Sequence, residues 1–338
     1  MKKIRLSPSG KEVEVESGMT VLAALEQHGY AIPNNCRAGA CGECKVKVLS
    51  GEIDQGFVLD MALPQNERAE GYGLMCMAKM VSDVLEIDFA TDEAKPKLFP
   101  PEENRTYIVL EKSKVTPSIV KLRLRPLGQP MRFWPGQYVQ IGNEDKSIPK
   151  RCYSLASIPD SSGDLILHIT KVEKGKASSW LCDELVEGER ISIDGPYGTF
   201  IGDPSSERPV LCLASGSGLA PICSLASAAL LRGGFKFPAT VLFSARTRED
   251  LYEEGLFRYL ESKFRNFDYQ YTLTGEKNPD GLEGRIPDIL EERFPKLSEY
   301  SVYIAGNPDF VDACAERVKQ LGVPEEFVYT EGYVDQWV

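Results

Sequence analysis

The stretch 35-NCRAGACGECKVKV-48 sets three thiols, Cys36, Cys41 and Cys44, within nine residues, spaced by glycines and other small residues. A fourth, Cys76 in 73-GLMCMAK-79, follows after 31 intervening residues. Gly39, Ala40 and Gly42 let the backbone come close to whatever the sulfurs hold, because no bulky side chain stands in the way. The N-terminal run MKKIRLSPSGKEVEV lacks the apolar core of an export signal, so the nine cysteines are expected in a reducing compartment, where metal or redox roles outrank disulfides. The two histidines, His28 and His168, lie near neither cysteine group. Cys152, Cys182, Cys212, Cys223 and Cys314 sit mostly in apolar runs and read as small buried hydrophobes.

C-x4-C-x2-C with one distant cysteine is the ligand spacing of a plant-type [2Fe–2S] cluster. Two irons need four thiolates, and the inorganic sulfides between them want backbone N–H donors from a closely wrapped loop. A structural zinc module would instead present two short cysteine pairs. The first ninety residues resemble plant-type ferredoxins, which implies a [2Fe–2S] cluster on Cys36, Cys41, Cys44 and Cys76. A ferredoxin carries an electron without further domains, so the rest of the chain is expected to load it.

The elements that must position these groups fall into three blocks, as 338 residues lead one to expect. Alternating polar and apolar residues over 2–6 and 12–16 predict a hairpin, and 19-MTVLAALEQHG-29 predicts a helix capped by Thr20 and ended by Gly29. KVKVLSGEI and DVLEIDF add strands, giving a β-grasp-like α+β domain over 1–92, with His28 complementing the helix dipole. Polar, proline-rich residues 93–104 read as a linker. Residues 105–205 carry six strand-like runs and one helical segment, KASSWLCDELV, which predicts an antiparallel β-barrel. From 206 to 338 strands alternate with helices, the rhythm of an α/β domain with a parallel sheet.

Within the second block, 136-GQYVQI-141, 151-RCYS-154, 175-GKASSWL-181 and 195-GPYGTF-200 occur in that order. Together they resemble the flavin barrel of the ferredoxin–NADP reductase superfamily, with its R-x-Y-S and G-K-x-S segments. The resemblance implies FAD, with Arg151 on flavin phosphate, the Tyr153 ring against the isoalloxazine and Ser154 near its reactive nitrogen. Gly175, Lys176, Ala177 and Ser178 would open a helix toward the pyrophosphate, and His168, Ile169 and Thr170 of 165-LILHIT-170 would line the same cofactor. FAD is favoured over FMN because FMN relatives carry the ferredoxin at the other end.

The third block opens with 213-LASGSGLAPI-222, a glycine turn between strand and helix that suits a dinucleotide but is not G-x-G-x-x-G, since Pro221 holds the third glycine position. It resembles the G-T/S-G-x-A-P turn of the same superfamily, which implies that Gly216, Ser217, Gly218 and Pro221 meet the nicotinamide nucleotide. The segment 302-VYIAGNPDFV-311 resembles Y-x-C-G-P-P-x-M and places Gly306, Asn307 and Pro308 there, with Ala305 where that pattern often has the cysteine that helps align hydride transfer. The ending 329-YTEGY-333 resembles E-K-F and brings Glu331 and Tyr333 to the flavin face, Trp337 being a rival for the stacking role. In 244-SARTREDLY-252, Arg246 or Arg248 could meet a 2′-phosphate, and Glu249 or Asp250 a 2′-hydroxyl; similar loops go with NADH. Ser154, Glu331 and Tyr333 are the expected catalytic residues.

The order ferredoxin–flavin–nicotinamide resembles the reductase components of bacterial multicomponent oxygenases. That implies electrons taken from NADH in pairs, passed through FAD singly to the cluster and on to a separate oxygenase, either a Rieske dioxygenase or a di-iron monooxygenase. The chain has neither Rieske histidine spacing nor E-x-x-H pairs, so oxygen chemistry belongs to the partner. Arg37 and Glu43, near the cluster, are candidate docking residues. The same architecture also resembles reductases that feed a deoxysugar dehydrase, and Ala305 alone would favour a module that senses redox state without turning over NADH. A net charge of −11 argues against nucleic acid, and no apolar run approaches a membrane span, so a cytoplasmic protein is expected.

Overall fold

The computed structural model describes residues 2–89, 94, 97–203, 206–278 and 281–333. The chain forms two compact units, Met1–Glu102 with Gly195–Thr199, and Glu103–Asp194 with Phe200–Tyr333.

In the first unit, β1 (Lys2–Ser7) and β2 (Lys11–Val15) form the expected antiparallel hairpin. Ile4, Leu6, Val13 and Val15 face inward and are buried, while the intervening charged residues face out, the period-2 pattern of a one-sided sheet. Helix α1 (Val21–Gln27) starts where Thr20 Oγ1 accepts the Ala23 N–H at 3.2 Å, and buries Val21, Leu22, Ala24 and Leu25. His28 Nδ1 lies 2.9 Å from the Ala24 carbonyl one turn back. Strands β3 (Lys45–Ser50) and β4 (Ile53–Asp54), helix α2 (Gln65–Ala69), and strands β5 (Tyr72–Leu74), β6 (Lys79–Met80) and β7 (Val84–Asp88) follow. The main sheet has the order β2-β1-β7-β3-β5, with β1 and β7 parallel at its heart. The cysteine loop fills the connection between α1 and β3.

The second unit begins with a six-stranded sheet built from β8 (Glu102–Lys114), β9 (Ile119–Pro126), β10 (Tyr138–Asn143), β11 (Ile148–Ser154), β12 (Leu165–Thr170) and β13 (Arg190–Tyr197). Its order is β11-β10-β13-β8-β9-β12, and a bridge between Leu155 and Leu167 joins the two edges into a barrel. Tyr107, Leu122, Leu124, Val139, Leu167 and Ile193 fill its interior. The single helix expected over KASSWLCDELV is divided: α3 (Lys176–Ser179) is one turn, and a wider turn over Trp180–Glu184 ends with the Leu185 N–H on the Trp180 carbonyl.

The same unit continues into β14 (Val210–Ser215), α4 (Leu219–Leu231), β15 (Ala239–Ala245), α5 (Glu254–Lys263), β16 (Phe267–Leu273), β17 (Leu282–Glu283), α6 (Ile286–Arg293), β18 (Ser301–Gly306), α7 (Pro308–Gln320) and β19 (Val328–Gly332). All pairs are parallel in the order β17-β16-β15-β14-β18-β19. Strand order reverses between β14 and β18, and a crevice at such a point, beyond the carboxyl ends of the strands, is where parallel α/β sheets take ligands.

Candidate active site

Backbone geometry in the cysteine loop is set by glycine where side chains would collide. Gly39 has φ +69 and a Cβ there would lie 3.0 Å from Met77, Phe57 and Val58 atoms; Gly42 has φ +79 and would press on the Ala62 carbonyl at 3.2 Å. The loop turns N–H groups onto sulfur: those of Ala38, Ala40 and Cys41 point at Cys36 Sγ at 3.3–3.4 Å. The Cys76 N–H meets Cys44 Sγ at 3.5 Å. The thiols fall into two hydrogen-bonded pairs. Cys41 and the three N–H groups hold Cys36 down to about 5, while Cys41 is pushed up; Cys44 holds Cys76 down and is itself pushed up. Among the described residues no three Cys, His, Asp or Glu side chains converge as one metal ion would require. Four thiols with N–H groups turned toward sulfur supply the ligand number and the donors that a two-iron cluster takes.

Arg37, expected to be available for docking, is largely committed elsewhere. Its guanidinium makes bonds of 2.7 and 2.8 Å to both oxygens of the buried Glu26, and its side chain is only 15% exposed. It braces the ligand loop from a left-handed backbone at φ 55.

In the second unit, Arg151 and Tyr153 share one face of β11 and Ser154 lies on the other, as strand alternation dictates. Burial pushes the Tyr153 phenol up. Ser154 Oγ donates to buried Glu331 and sits 3.1 Å from the Tyr333 hydroxyl, which is 3.5 Å from the Ser217 carbonyl. Burial is also the main reason the Tyr333 phenol stays protonated. Barrel strand, final strand and glycine turn therefore meet in one polar cluster. Trp337 lies outside the described residues.

The glycine turn packs against β18 backbone to backbone. A Cβ on Gly218 would fall 2.2 Å from the Ala305 carbonyl, and one on Gly306 would fall 2.1 Å from Ser215 Oγ. Gly216, at φ +52, faces open space with nothing within 4 Å of its Cβ position. That opening at the switch point suits a dinucleotide. Pro221 lies buried in the first turn of α4, and Ala305 is fully buried. Asn307 caps α7, its Oδ1 accepting the Phe310 N–H at 2.8 Å, and Pro308 is the first helical residue, so asparagine in place of the first proline of the pair buys a helix start.

Other residues have more local work than their resemblance implied. Ser178 turns back on its own loop, accepting the Val172 N–H at 3.1 Å and donating to the Gly175 carbonyl, above buried Ala177 and beside exposed Lys176. Ile169 points its side chain into the barrel core. Thr170 Oγ1 reaches Ser217 Oγ at 2.8 Å, and His168 Nε2 is 3.0 Å from Glu253 Oε1. Arg246 is exposed, while Asp250 is held in a capping box with Thr247 at 3.0 Å rather than presented to a ribose. Sequence reasoning missed Lys121, Tyr252 and Glu253, for which no local motif exists.

Fold and site together define an iron–sulfur flavoprotein reductase, with a thiolate cluster loop in one unit and a flavin barrel joined to a nicotinamide sheet in the other. Three family models match in that order: a 2Fe-2S iron-sulfur cluster binding domain over residues 4–81, an oxidoreductase FAD-binding domain over 107–201 and an oxidoreductase NAD-binding domain over 212–316. The chain is similar to the aromatic O-demethylase reductase subunit of Amycolatopsis sp. (strain ATCC 39116 / 75iv2), 31% identical with 97% of this chain and 98% of the relative covered. It is also similar to the phenol hydroxylase P5 protein of Acinetobacter pittii (strain PHEA-2), 31% identical over 98% and 94% of the two chains. Among solved structures, the Amycolatopsis cytochrome P450 reductase GcoB superposes with a TM-score of 0.88 at 29% identity, covering 98% of each chain. The chain belongs to this family of ferredoxin-linked flavoprotein oxidoreductases, whose members here are reductase components of oxygenase systems.

Proposed function

We propose that this chain takes electrons from NADH and delivers them one at a time to a separate oxygenase component in the cytoplasm. Bound together, nicotinamide, FAD and a [2Fe–2S] cluster convert a two-electron donor into a one-electron supply. Cys36, Cys41, Cys44 and Cys76 hold the cluster. Arg151 meets flavin phosphate, Tyr153 and Tyr333 flank the ring system, and Ser154 with Glu331 presents a hydroxyl at its edge. Gly175 to Ser178 border the pyrophosphate. Gly216 to Gly218, Pro221 and Gly306 to Pro308 form the nicotinamide crevice, and exposed Arg246 borders its adenosine end. The domain limits that go with this reading are 1–92, 105–205 and 206–338, with a linker between the first two.

The observation that carries it is the meeting of Ser154, Glu331, Tyr333 and Ser217, because it joins barrel and nicotinamide sheet at one point. The partner follows from the relatives, which span monooxygenase, dioxygenase and P450 systems. The P450 system of one relative lies outside the two oxygenase types expected from the sequence, and this proposal includes it as a third acceptor type. No helix among the described residues is long and apolar enough to cross a membrane. Anaerobic titration of the holoprotein with NADH, then NADPH, followed by flavin absorbance and electron paramagnetic resonance, tests the proposal. Bleaching by NADH with a reduced-cluster signal supports it. A flavin that stays oxidised with both nucleotides refutes it.

A further inference from the structure

Glu253 has a backbone that glutamate does not favour. Its φ of 57 and ψ of 13 lie in the left-handed region, a strain that persists only where surroundings dictate it. It stands at the cap position of α5, yet its side chain makes no capping bond. The carboxylate instead crosses to the flavin barrel. Glu253 Oε1 accepts from Lys121 Nζ at 2.5 Å on β9 and lies 3.0 Å from His168 Nε2 on β12. Lys121 and His168 are direct cross-strand partners, so the barrel wall offers two adjacent donors to one carboxylate. His168 is held from one side only, its buried Nδ1 having no hydrogen-bond partner.

The preceding residue carries the link onward. Tyr252 sets its ring edge-on to His168 at 5.0 Å and donates its hydroxyl to the Gly216 carbonyl at 2.9 Å. Two residues along β12, Thr170 binds Ser217 in the same glycine turn. Barrel strand β12 thus grips the turn at two points, one through Tyr252–Glu253. Beside this grip the halves share an apolar core, to which Ile119, Ala156 and Phe200 contribute on the barrel side and Leu219, Cys223 and Tyr252 on the other. A cleft of about 440 Å³ opens alongside, lined by Arg123 of the barrel, by Ser227 and Leu231 of the nicotinamide half and by Glu253 itself, and Ser224 Oγ spans the two halves there by donating to the Ser157 carbonyl at 2.6 Å. Along this cleft the link between the halves is polar, made by Glu253 with Lys121 and His168 and by Ser224 with Ser157.

We propose that Glu253, acting through Lys121, His168 and Tyr252, is a positioning residue that sets how the glycine turn presents nicotinamide to the flavin. This rests on the reading that NADH reduces a flavin held in the barrel. A displacement on the scale of an ångström between reacting groups can slow a reaction about a hundredfold, so a loosened bridge is expected to slow flavin reduction by about tenfold or more.

The test uses FAD- and cluster-loaded full-length protein. Glu253→Gly removes the bridge and relieves the left-handed strain, so the fold is expected to survive. Lys121→Met removes one donor, and Lys121→Arg keeps the charge. Stopped-flow flavin reduction at saturating NADH is expected to slow about tenfold in Glu253→Gly and clearly in Lys121→Met, with the half-saturating NADH concentration within about twofold, and to recover in Lys121→Arg. Hydrogen–deuterium exchange of the 216–219 amides is expected to quicken in the slow variants alone. Unchanged rates and exchange in Glu253→Gly overturn the inference, as does a loss that merely follows lowered melting temperature or lost FAD. Should Glu253→Gly not fold, the lysine pair decides: equal loss in Met and Arg variants overturns it. Wild-type protein that neither NADH nor NADPH reduces would instead remove the underlying reading.

Discussion

At the scale of single residues, the four cysteines proposed as cluster ligands stood out in the sequence because their spacing is local: one loop supplies three of four thiols. Cys76→Ser is expected to abolish the reduced-cluster resonance while NADH still bleaches the flavin, since no residue of the second unit is touched. A protein that keeps the signal would remove Cys76 from the ligand set. Ser154→Ala leaves Glu331 and Tyr333 without the hydroxyl between them, and flavin reduction is expected to slow about tenfold or more, read by stopped flow at saturating NADH. Glu253 was not legible. Its partners His168 and Lys121 lie 85 and 132 residues away, and nothing in DLYEE announces a left-handed glutamate. Asp250 misled for the opposite reason, because a carboxylate near a ribose loop and a carboxylate in a capping box look alike in sequence.

At the scale of elements, hydrophobic period and caps were enough wherever an element buries one face. Thr20 and Gly29 bracket α1 because the cap bond and a positive φ of 76 are local requirements. Thr20→Ala is expected to cost about 1 kcal/mol, read as a lower denaturant midpoint with the reduced-cluster signal intact. The division of KASSWLCDELV into one α turn and a wider turn was not readable, since Trp180 and Leu181 are drawn into the barrel core by packing from distant strands. The glycine turn is the most constrained connection. Gly218→Ala puts a methyl 2.2 Å from the Ala305 carbonyl, so β14 and β18 must separate where their loops form the crevice. Weaker binding of NAD⁺ by calorimetry, together with a destabilisation of about 1–3 kcal/mol, is the expected result.

At the scale of the whole molecule, the order of three blocks was plain because each has its own periodicity. The bridges between barrel and nicotinamide sheet were not, being made of single side chains. They carry a pH dependence. Burial pushes His168 down from 6.5, so the folded protein binds fewer protons there than the unfolded chain, and this contribution is lost as pH falls below 6.5. Desolvation would push Glu253 up, but bonds from His168 and Lys121 outweigh it and hold the carboxyl down to about 2. Its contribution is full above about 4.5 and lost as pH falls toward about 2. Facing this pair are the Lys121 ammonium, the Cys223 thiol and the Tyr252 phenol, the last two pushed up by burial and neutral throughout. Denaturant midpoints measured from pH 7 to pH 3 are expected to fall with acid, and to fall less steeply in Glu253→Gly. Equal slopes would show that the bridge carries no acid sensitivity.

The parallel pairing of β1 with β7 has a consequence for ancestry. The strand that opens the first unit and the strand that closes its sheet lie side by side, Lys3 opposite Val84 and Ser7 opposite Asp88. A sheet whose earliest and latest strands are neighbours brings both ends of its chain together, and among the described residues the buried core it covers is drawn from between Ile4 and Ala94. Such a unit can be cut and spliced as a cassette without reopening its interior. That portability suits a unit joined to its flavin module by fusion, and it makes exchange of residues 1–102 between reductases a route to redirecting their electrons.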